Sequence, residues 1–599
     1  MKIYLVFLSG YLIFVDQLYI CEMKNSRFFY LALIMTVLLS SCHKPQPVHI
    51  KMVCTSDVHG NFFPYDFRAD KPASGSLARV SSYLNELRSS SLGDNVVLLD
   101  NGDILQGQPT AYYYNTVAIE HKHLASEVLN YLKCDVAMLG NHDIETGGPT
   151  YQRYMRDLEC ATVGGNIYLE DTDVPFIPPY VMIERGGVRI AVIGLTTPAI
   201  PNWLPRVLWR GVEFRDMESA ASHWMQYVNE HESPDLVVGL FHSGYEGGIT
   251  TDEYVENATR EVAVNVPGFD AIFFGHDHKA LCDKVVNVEG DTVLLLNPAN
   301  NANQVAVLDV KYLKGAEPQV TLAAELVDVN AYEPDAAYMN HFASHQEKVK
   351  KYVSKKLGVS THRISSRDAY FGPSDFIDFI HRMQLDITRA EVSFAAPLAF
   401  STWLPEGDIH VRDMFNLYRY ENMLYVMQLT GQEIKDYLEM SYGQWTNQMR
   451  SPNDHLLLFD EATIDSKKPR LKNIYYNFDS AAGIIYEVDV TKPVGSRVRI
   501  SSMADGDAFD LNRTYRVALN SYRGNGGGEL LTKGAGIPHG ELESRLLYST
   551  DVDLRFYMIN YIEMRETVDP KSMDQWKFVP ERWTVPAAER DYKLLFENK

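Results

Sequence analysis

Leu139-Gly140-Asn141-His142-Asp143-Ile144-Glu145 is the stretch whose reading decides the fold: an apolar run ends abruptly in an amide, an imidazole and two carboxylates. Residues 134–139 read as a short buried strand. Gly140 lets the backbone turn sharply, so Asn141 and His142 project from the strand's carboxyl end, where open α/β sheets bind their ligands. A capped turn with one hydrogen-bonded histidine would look the same, so the triplet takes its meaning from its company.

Working outward, residues 50–55, 95–100, 135–139, 189–195, 236–241 and 271–274 read as strands, separated mostly by helix-period stretches such as 77–87, 124–132 and 219–231. That alternation predicts a layered α/β domain. The punctuation repeats as well. Asp57-Val58-His59 follows the first strand, Asn101-Gly102-Asp103 the second, Asn141-His142 the third, His242 a later one and His276-Asp277-His278 the last. Asp57, Asp103, the Asn141 carbonyl and the imidazoles of His59, His242, His276 and His278 are hard or borderline metal ligands. They suit a pair of divalent ions, with Zn, Mn, Co and Fe all compatible. One Asp-x-His is as readily a turn as a ligand pair, whereas five coincident strand ends are hard to explain as turns.

The chain has 599 residues, room for two or three domains, and a net charge of −22. That charge opposes a broad duplex nucleic-acid footprint, which needs clustered Lys and Arg. A small anionic substrate remains compatible where metals supply local positive charge. The six cysteines form no C-x-x-C pair. Cys54, Cys134, Cys160 and Cys282 lie in or beside apolar runs, as buried thiols or disulfides.

In that order and spacing, Asp57-x-His59, Gly102-Asp103, Gly140-Asn141-His142-Asp143, His242 and Gly275-His276-x-His278 resemble the calcineurin-like metallophosphoesterases over residues 48–330. The resemblance implies an α/β fold of four layers, a sandwich of two β-sheets flanked by helices. It implies one ion held by Asp57, His59 and His278, a second by Asn141, His242 and His276, and Asp103 bridging them. His142 would be the catalytic imidazole, and two ions about 3.5–4 Å apart would activate a water and neutralise phosphoryl charge. In the nucleotidase branch the partner of that imidazole lies three residues later and is normally Asp or Asn. Here it is Glu145, one methylene longer.

Residues 335–357, rich in Ala, Gln, Glu and Lys, predict a helix begun after Pro334 and ended by Gly358, which is read as a linker over 331–360 with a packed surface helix as the alternative. Beyond it, the runs from Gly407 to Asn422 and from Val517 to Gly528 resemble the C-terminal domain of the bacterial 5′-nucleotidase family, over residues 361–590. This second α/β domain would bind the nucleotide. Tyr420 and Tyr522 occupy the places of the two aromatic rings that clamp the base, with Asn422 near its edge.

Lys24 and Arg27, an apolar run from 28 to 39 and then Ser40-Ser41-Cys42 fit a secretory signal over residues 23–42. Leu39-Ser40-Ser41-Cys42 resembles a bacterial lipobox, which would make Cys42 the lipidated mature N-terminus. Residues 1–22 read as an upstream extension outside the fold. The expectation is an exported enzyme, lipid-anchored to a bacterial membrane and facing the periplasm or cell surface, that hydrolyses small-molecule nucleotides. Asn520-Ser521-Tyr522-Arg523 with a plain Gly triplet, followed by Glu529-Leu530-Leu531, looks more like the 2′,3′-cyclic-nucleotide 2′-phosphodiesterase/3′-nucleotidase branch than the 5′-nucleotidase/UDP-sugar hydrolase branch. A surface nucleotide-binding protein without catalysis is the alternative of a different class, and the complete ligand set argues against it.

Overall fold

Apolar runs long enough to be buried on both faces dictate two six-stranded sheets in the first domain. The computed structural model describes residues 47–315, 318–464 and 466–597, so the signal segment and Cys42 lie outside the described residues. In the first sheet β1 (Val48–Thr55), β2 (Val96–Asp100), β3 (Val136–Met138) and β4 (Ala161–Val163) run parallel. The second sheet holds β5 (Tyr180–Arg185), β6 (Val188–Thr196), β7 (Leu236–His242), β8 (Ala271–Phe274), β9 (Leu281–Val286) and β10 (Thr292–Asn297), in the order β9-β10-β8-β7-β6-β5. Its four inner strands are parallel and its two edges antiparallel. With β11 (Gln304–Leu313) and β12 (Gln319–Asp328), the first sheet has the order β12-β11-β1-β2-β3-β4. Every residue of β2 and of β7 is buried.

The helices Leu77–Ser89 and Leu124–Tyr131 pack on the first sheet and Met217–His231 on the second, each against its own core cluster. A short helix, α1 (Pro109–Thr116), starts just beyond the Asp103 loop. Cys54 is buried, Cys134 and Cys160 are half-buried, and Cys282 is exposed on the edge strand β9; all four are free thiols.

The segment expected to be one linker helix is two helices, α2 (Ala336–His341) and α3 (Ala343–Val353). Phe342 breaks them because its backbone leaves the helical region while its ring is buried in the first domain's core. Tyr338, Val349 and Val353 are buried there too, so the segment is packed structure. Gly358 is no helix stop. It lies within the strand Lys356–Ser360, which pairs with Gly407–His410 and Thr567–Val568, so the second domain begins ahead of residue 361.

That domain centres on a sheet of β13 (Val392–Ala395), β14 (Met423–Thr430), β15 (Ser480–Ala482), β16 (Thr514–Asn520) and β17 (Leu546–Asp553), ordered β15-β13-β16-β14-β17. β14 and β16 are antiparallel with Leu424 opposite Asn520, which puts the segment before β14 beside the segment after β16. Both domains belong to one compact unit, His49–Lys311 with Thr321–Lys599; the remaining described residues, around Val48 and Tyr312–Val320, fall in a separate small unit. Among the described residues no helix is long and apolar enough to cross a membrane.

Phe342→Ala should cost about 3–5 kcal/mol in the denaturation of the first domain, as for an aromatic removed from a packed core. A change under about 1 kcal/mol would mean that the segment is only a tether.

Candidate active site

Five loops at the carboxyl ends of β1, β2, β3, β7 and β8 meet between the two sheets, and backbone hydrogen bonds hold them in register. The Asp57 amide donates to the Gly102 carbonyl (3.0 Å), that of His59 to Asp103 (2.9 Å) and that of Asn101 to Thr55 (2.8 Å). Asp143, quoted within the motif but given no role, is buried and accepts from the amides of Asp103 (2.7 Å), Ile104 (3.0 Å), Leu105 (2.8 Å) and Gly140 (2.8 Å). It clamps the Asp103 loop against the Asn141 turn.

All seven candidate ligands come together. Asp57, His59 and His278 form one group of facing donor atoms, and Asp103, His242 and His276 a second. Asn141 Oδ1 lies 3.2 Å from His242 Nε2 and 2.8 Å from His276 Nδ1. Outer contacts orient the rings. His59 Nδ1 faces the Gln106 carbonyl at 3.1 Å and His242 Nδ1 the Asn101 carbonyl at 2.7 Å, so both rings turn Nε2 inward. His276 Nε2 faces Glu256 Oε1 at 3.2 Å, and the Asn300 amide lies 2.9 Å from His278 Nδ1. Glu256 and Asn300 left no signal in the sequence, because the first comes from a short outlying strand, Val255–Asn257, and the second from an irregular segment, each about twenty residues from the histidine it meets.

These groups fit a pair of cations. His59 Nε2 and His278 Nε2 stand 3.0 Å apart. Burial, only partly offset by Asp103, pushes the His59 imidazole down to about 4, which leaves it neutral and able to ligate. Asp103 Oδ2 is buried with no hydrogen-bond partner; His242 Nε2, 3.1 Å away, is in ion-pair range but off the line of a hydrogen bond. Burial by itself would raise Asp103, yet His242 and His142 hold it well below the usual carboxylate range. A Cβ on Gly140 would collide with Asp103 Oδ1 and lie 2.7 Å from His242 Nε2. The loops also carry left-handed backbone at Asp57 (φ 51°), His59 (49°), Asp103 (54°), His276 (73°) and His278 (58°). A non-glycine residue there costs on the order of 1 kcal/mol or more, a cost found where function over-determines the chain.

His142 sits beside this centre and outside both groups. Its amide donates to Asp103 Oδ1 (2.8 Å), and its Nδ1 pairs with Glu145 Oε2 at 2.5 Å, so the longer carboxylate reaches the imidazole. Burial would lower the His142 pKa, but the charges of Asp103 and Glu145 and the Glu145 hydrogen bond push it up to about 10 among the protein groups alone.

A cavity of about 1420 Å³ runs from Asn141, His142, Glu145 and His276 to Tyr420, Asn422 and Tyr522. Sequence reasoning missed other aromatic residues of its lining, Trp203 and Tyr476 among them. Trp203 lies 5.6 Å from the His276 ring, centroid to centroid. Tyr476 stands edge-on between the two tyrosines, 6.1 Å from Tyr420 at 75° and 6.4 Å from Tyr522 at 84°. Buried Arg523 holds the Tyr476 wall. It donates to the Tyr476 carbonyl (2.6 Å), the Gly527 carbonyl (3.0 Å), Asn477 Oδ1 (2.9 Å) and both oxygens of Asp479 (3.1 and 2.9 Å). The Gly triplet has a packing reason: a Cβ on Gly527 would lie 2.5 Å from the Tyr522 ring, and one on Gly528, at φ 69°, would strike Arg523.

Comparison with known proteins divides the chain in the same way. The family pattern of calcineurin-like phosphoesterases matches residues 50–280, and that of the 5′-nucleotidase C-terminal domain residues 353–533. A trifunctional nucleotide phosphoesterase of Bacillus subtilis is 26% identical over 593 residues, 89% of this chain, although the chain spans only 39% of that protein's length. The 2′,3′-cyclic-nucleotide 2′-phosphodiesterase/3′-nucleotidase of Haemophilus influenzae is 26% identical over 600 residues, covering 89% of this chain and 88% of the relative. The structure of a 5′-nucleotidase precursor from Thermus thermophilus shares the fold, with a TM-score of 0.59 at 21% identity over 89% of this chain and 100% of that one.

Asp103→Asn is expected to lower both bound metal, measured by elemental analysis, and phosphoric-ester turnover, the latter at least about 100-fold. Two ions per chain and near-native turnover in that variant would sink the binuclear assignment. His142→Ala should reduce kcat about 10²–10⁴-fold with metal content intact, as for loss of an acid–base group. Loss of metal instead would make His142 a ligand.

Proposed function

The chain belongs to the calcineurin-like phosphoesterases that carry a 5′-nucleotidase C-terminal domain, a group of phosphoric ester hydrolases, and on that premise we propose that it hydrolyses 2′,3′-cyclic nucleotides and then the resulting 3′-nucleotides. The observation that carries this reading is the continuous cavity with the ligand groups at one end and a three-tyrosine box at the other. The named activity of the Haemophilus relative, aligned over most of both chains, supports the choice of branch. In the cyclic substrate, water adds at phosphorus and the bond to the 2′ oxygen breaks, leaving a 3′-phosphate. A second hydrolysis frees nucleoside and phosphate.

Asp57, His59, His278, Asn141, His242, His276 and Asp103 would hold two divalent ions, which when bound would activate the water and neutralise charge on the phosphoryl oxygens. With Nδ1 of His142 held by Glu145, the other ring nitrogen, Nε2, is left to donate a proton to the departing alkoxide. Tyr420 and Tyr522 stack on the two faces of the base, Tyr476 closes the box, and Asn422 meets the base edge. Every base offers a π-face, so selection among bases is loose.

Kinetics on 2′,3′-cyclic AMP, 3′-AMP, 5′-AMP and a UDP-sugar, with Mn or Co added, test the branch. The first two should exceed 5′-AMP at least about tenfold in kcat/KM, a preference of about 1.4 kcal/mol. Faster turnover of 5′-AMP or of the UDP-sugar would move the chain to the other branch. Tyr522→Ala should raise the nucleotide KM by one or two powers of ten, the loss of a ~1–3 kcal/mol stacking contact, while hydrolysis of bis-p-nitrophenyl phosphate stays near native. Equal losses on both would make the ring structural.

The same reading includes export and a lipid anchor on Cys42, supported by Leu39-Ser40-Ser41-Cys42. Cys42→Ser should shift the protein from the membrane to the soluble fraction. An unchanged distribution would remove the anchor.

A further inference from the structure

Arg555 is 1% exposed and belongs to neither group of site residues described above. It is the second residue of α4 (Leu554–Arg565). Its Nε donates to the Tyr418 carbonyl (3.1 Å) and its Nη2 to the Arg419 carbonyl (2.8 Å), with Nη1 3.5 Å from Glu421 Oε1. One residue earlier, the Leu554 amide donates to the Asn422 carbonyl (2.7 Å). Three carbonyls of segment 418–422 therefore hang from the first turn of α4. A guanidinium suits this task because its fixed fork of donors can hold two carbonyls at once.

The other side of Arg555 faces the first domain. Its guanidinium carbon lies 4.2 Å from the Phe415 ring centre and 4.8 Å from that of Tyr112. Tyr112, in α1 of the first domain, is 1% exposed and packs within the second domain's core, edge-on to Phe415 at 5.3 Å. Its hydroxyl donates to Asp553 Oδ2 (3.0 Å), and Asp553 caps α4 by accepting from the Phe556 amide (3.3 Å). The N-terminal end of α1, one turn from Tyr112, touches the ligand loops: the Gln108 amide donates to the His59 carbonyl (2.9 Å) and Thr110 Oγ1 to Gly60 O (2.5 Å). A continuous buried path of bonded and packed groups thus joins the His59 loop to the segment that carries Tyr420.

We propose that Arg555 is the positioning residue of segment 418–422 and that Tyr112 sets this segment in register with the ion-binding loops. α1, Tyr112, Asp553 and Arg555 act as a strut that fixes how far the base site stands from the reacting phosphorus. The consequence for catalysis rests on the reading of Tyr420 as a base contact, while the strut itself does not.

Two variants of the full chain test it, each with metal content checked. Arg555→Lys keeps the charge and loses the fork; Tyr112→Phe keeps the ring and loses only the hydroxyl bond. Amide hydrogen exchange across residues 418–424 should speed up in both. The nucleotide KM should rise about 10–100-fold for Arg555→Lys and about 2–10-fold for Tyr112→Phe, from the worth of the hydrogen bonds removed. Turnover of bis-p-nitrophenyl phosphate should stay within about twofold of wild type, which a general loss of structure would not allow. Should Arg555→Lys fail to fold, Tyr112→Phe decides. Unchanged exchange at 418–424, or equal losses on both substrates, overturns the strut. Faster exchange with an unchanged nucleotide KM supports the strut and removes Tyr420 from the base site, as would an unchanged KM in Tyr420→Ala.

Discussion

The site depends on one seam, made by Asn101. Its amide takes the Thr55 carbonyl, its side-chain nitrogen donates to the Phe241 carbonyl (2.9 Å), and its own carbonyl accepts from His242 Nδ1 (2.7 Å). One residue therefore joins the ends of β1, β2 and β7, and so the first sheet to the second. Each bond is worth only about 0.5–1.5 kcal/mol net, but leaving one of these buried groups unpaired costs about 1–3 kcal/mol, so the three ends move together or not at all. Because the seam consists of strand ends, the loops beyond it start from fixed positions, and Asp57, His59 and Asp103 in them are held in left-handed backbone.

Packing so many carboxylates into a buried site would be self-defeating if all were ionised. The structure divides them. Burial opposes ionisation at Asp57, but contact with His278 and His242 holds it down at about 2, and Asp103 is likewise kept ionised. Asp100 and Asp143 go the other way: burial lifts the first to about 8, and burial with the Asp103 charge lifts the second to about 6. Asp57 and Asp103, the two held low, belong to the two ligand groups. Asp100, which accepts from Thr55 Oγ1, and Asp143, which accepts four amides, serve the backbone.

The second domain solves its positioning problem with two buried guanidiniums. Arg523 gathers the Tyr476 and Gly527 backbones around the Asp479 carboxylate, and Arg555 gathers those of Tyr418 and Arg419. Each is satisfied by carbonyl and carboxylate oxygens, without which a buried charge would cost several kcal/mol. The two sides of the tyrosine box are set by separate arginines, and both are tied to the first domain, the Arg555 side through Tyr112 and the Arg523 side through the Asn525 amide, which donates to the Trp203 carbonyl (3.4 Å).

The residues themselves determined the layered α/β class, most strand positions and the seven ligand candidates. The physical reason is local: buried strands need unbroken apolar runs, and metal ligation needs specific side chains at the turns that end them. Glu145 belongs to the same local kind, three residues from its partner. Tertiary structure alone decided the rest. Residues 335–357 have the composition of a free helix, and only the pocket that receives the Phe342 ring breaks them in two. Trp203 reaches the site from an irregular segment, Glu256 from a short outlying strand and Tyr476 from a different domain, Arg555 lies behind the tyrosine box, and Tyr112 meets Asp553 across 441 positions. No periodicity or spacing encodes such a contact, because its partners are chosen by how two separately folded cores are packed together.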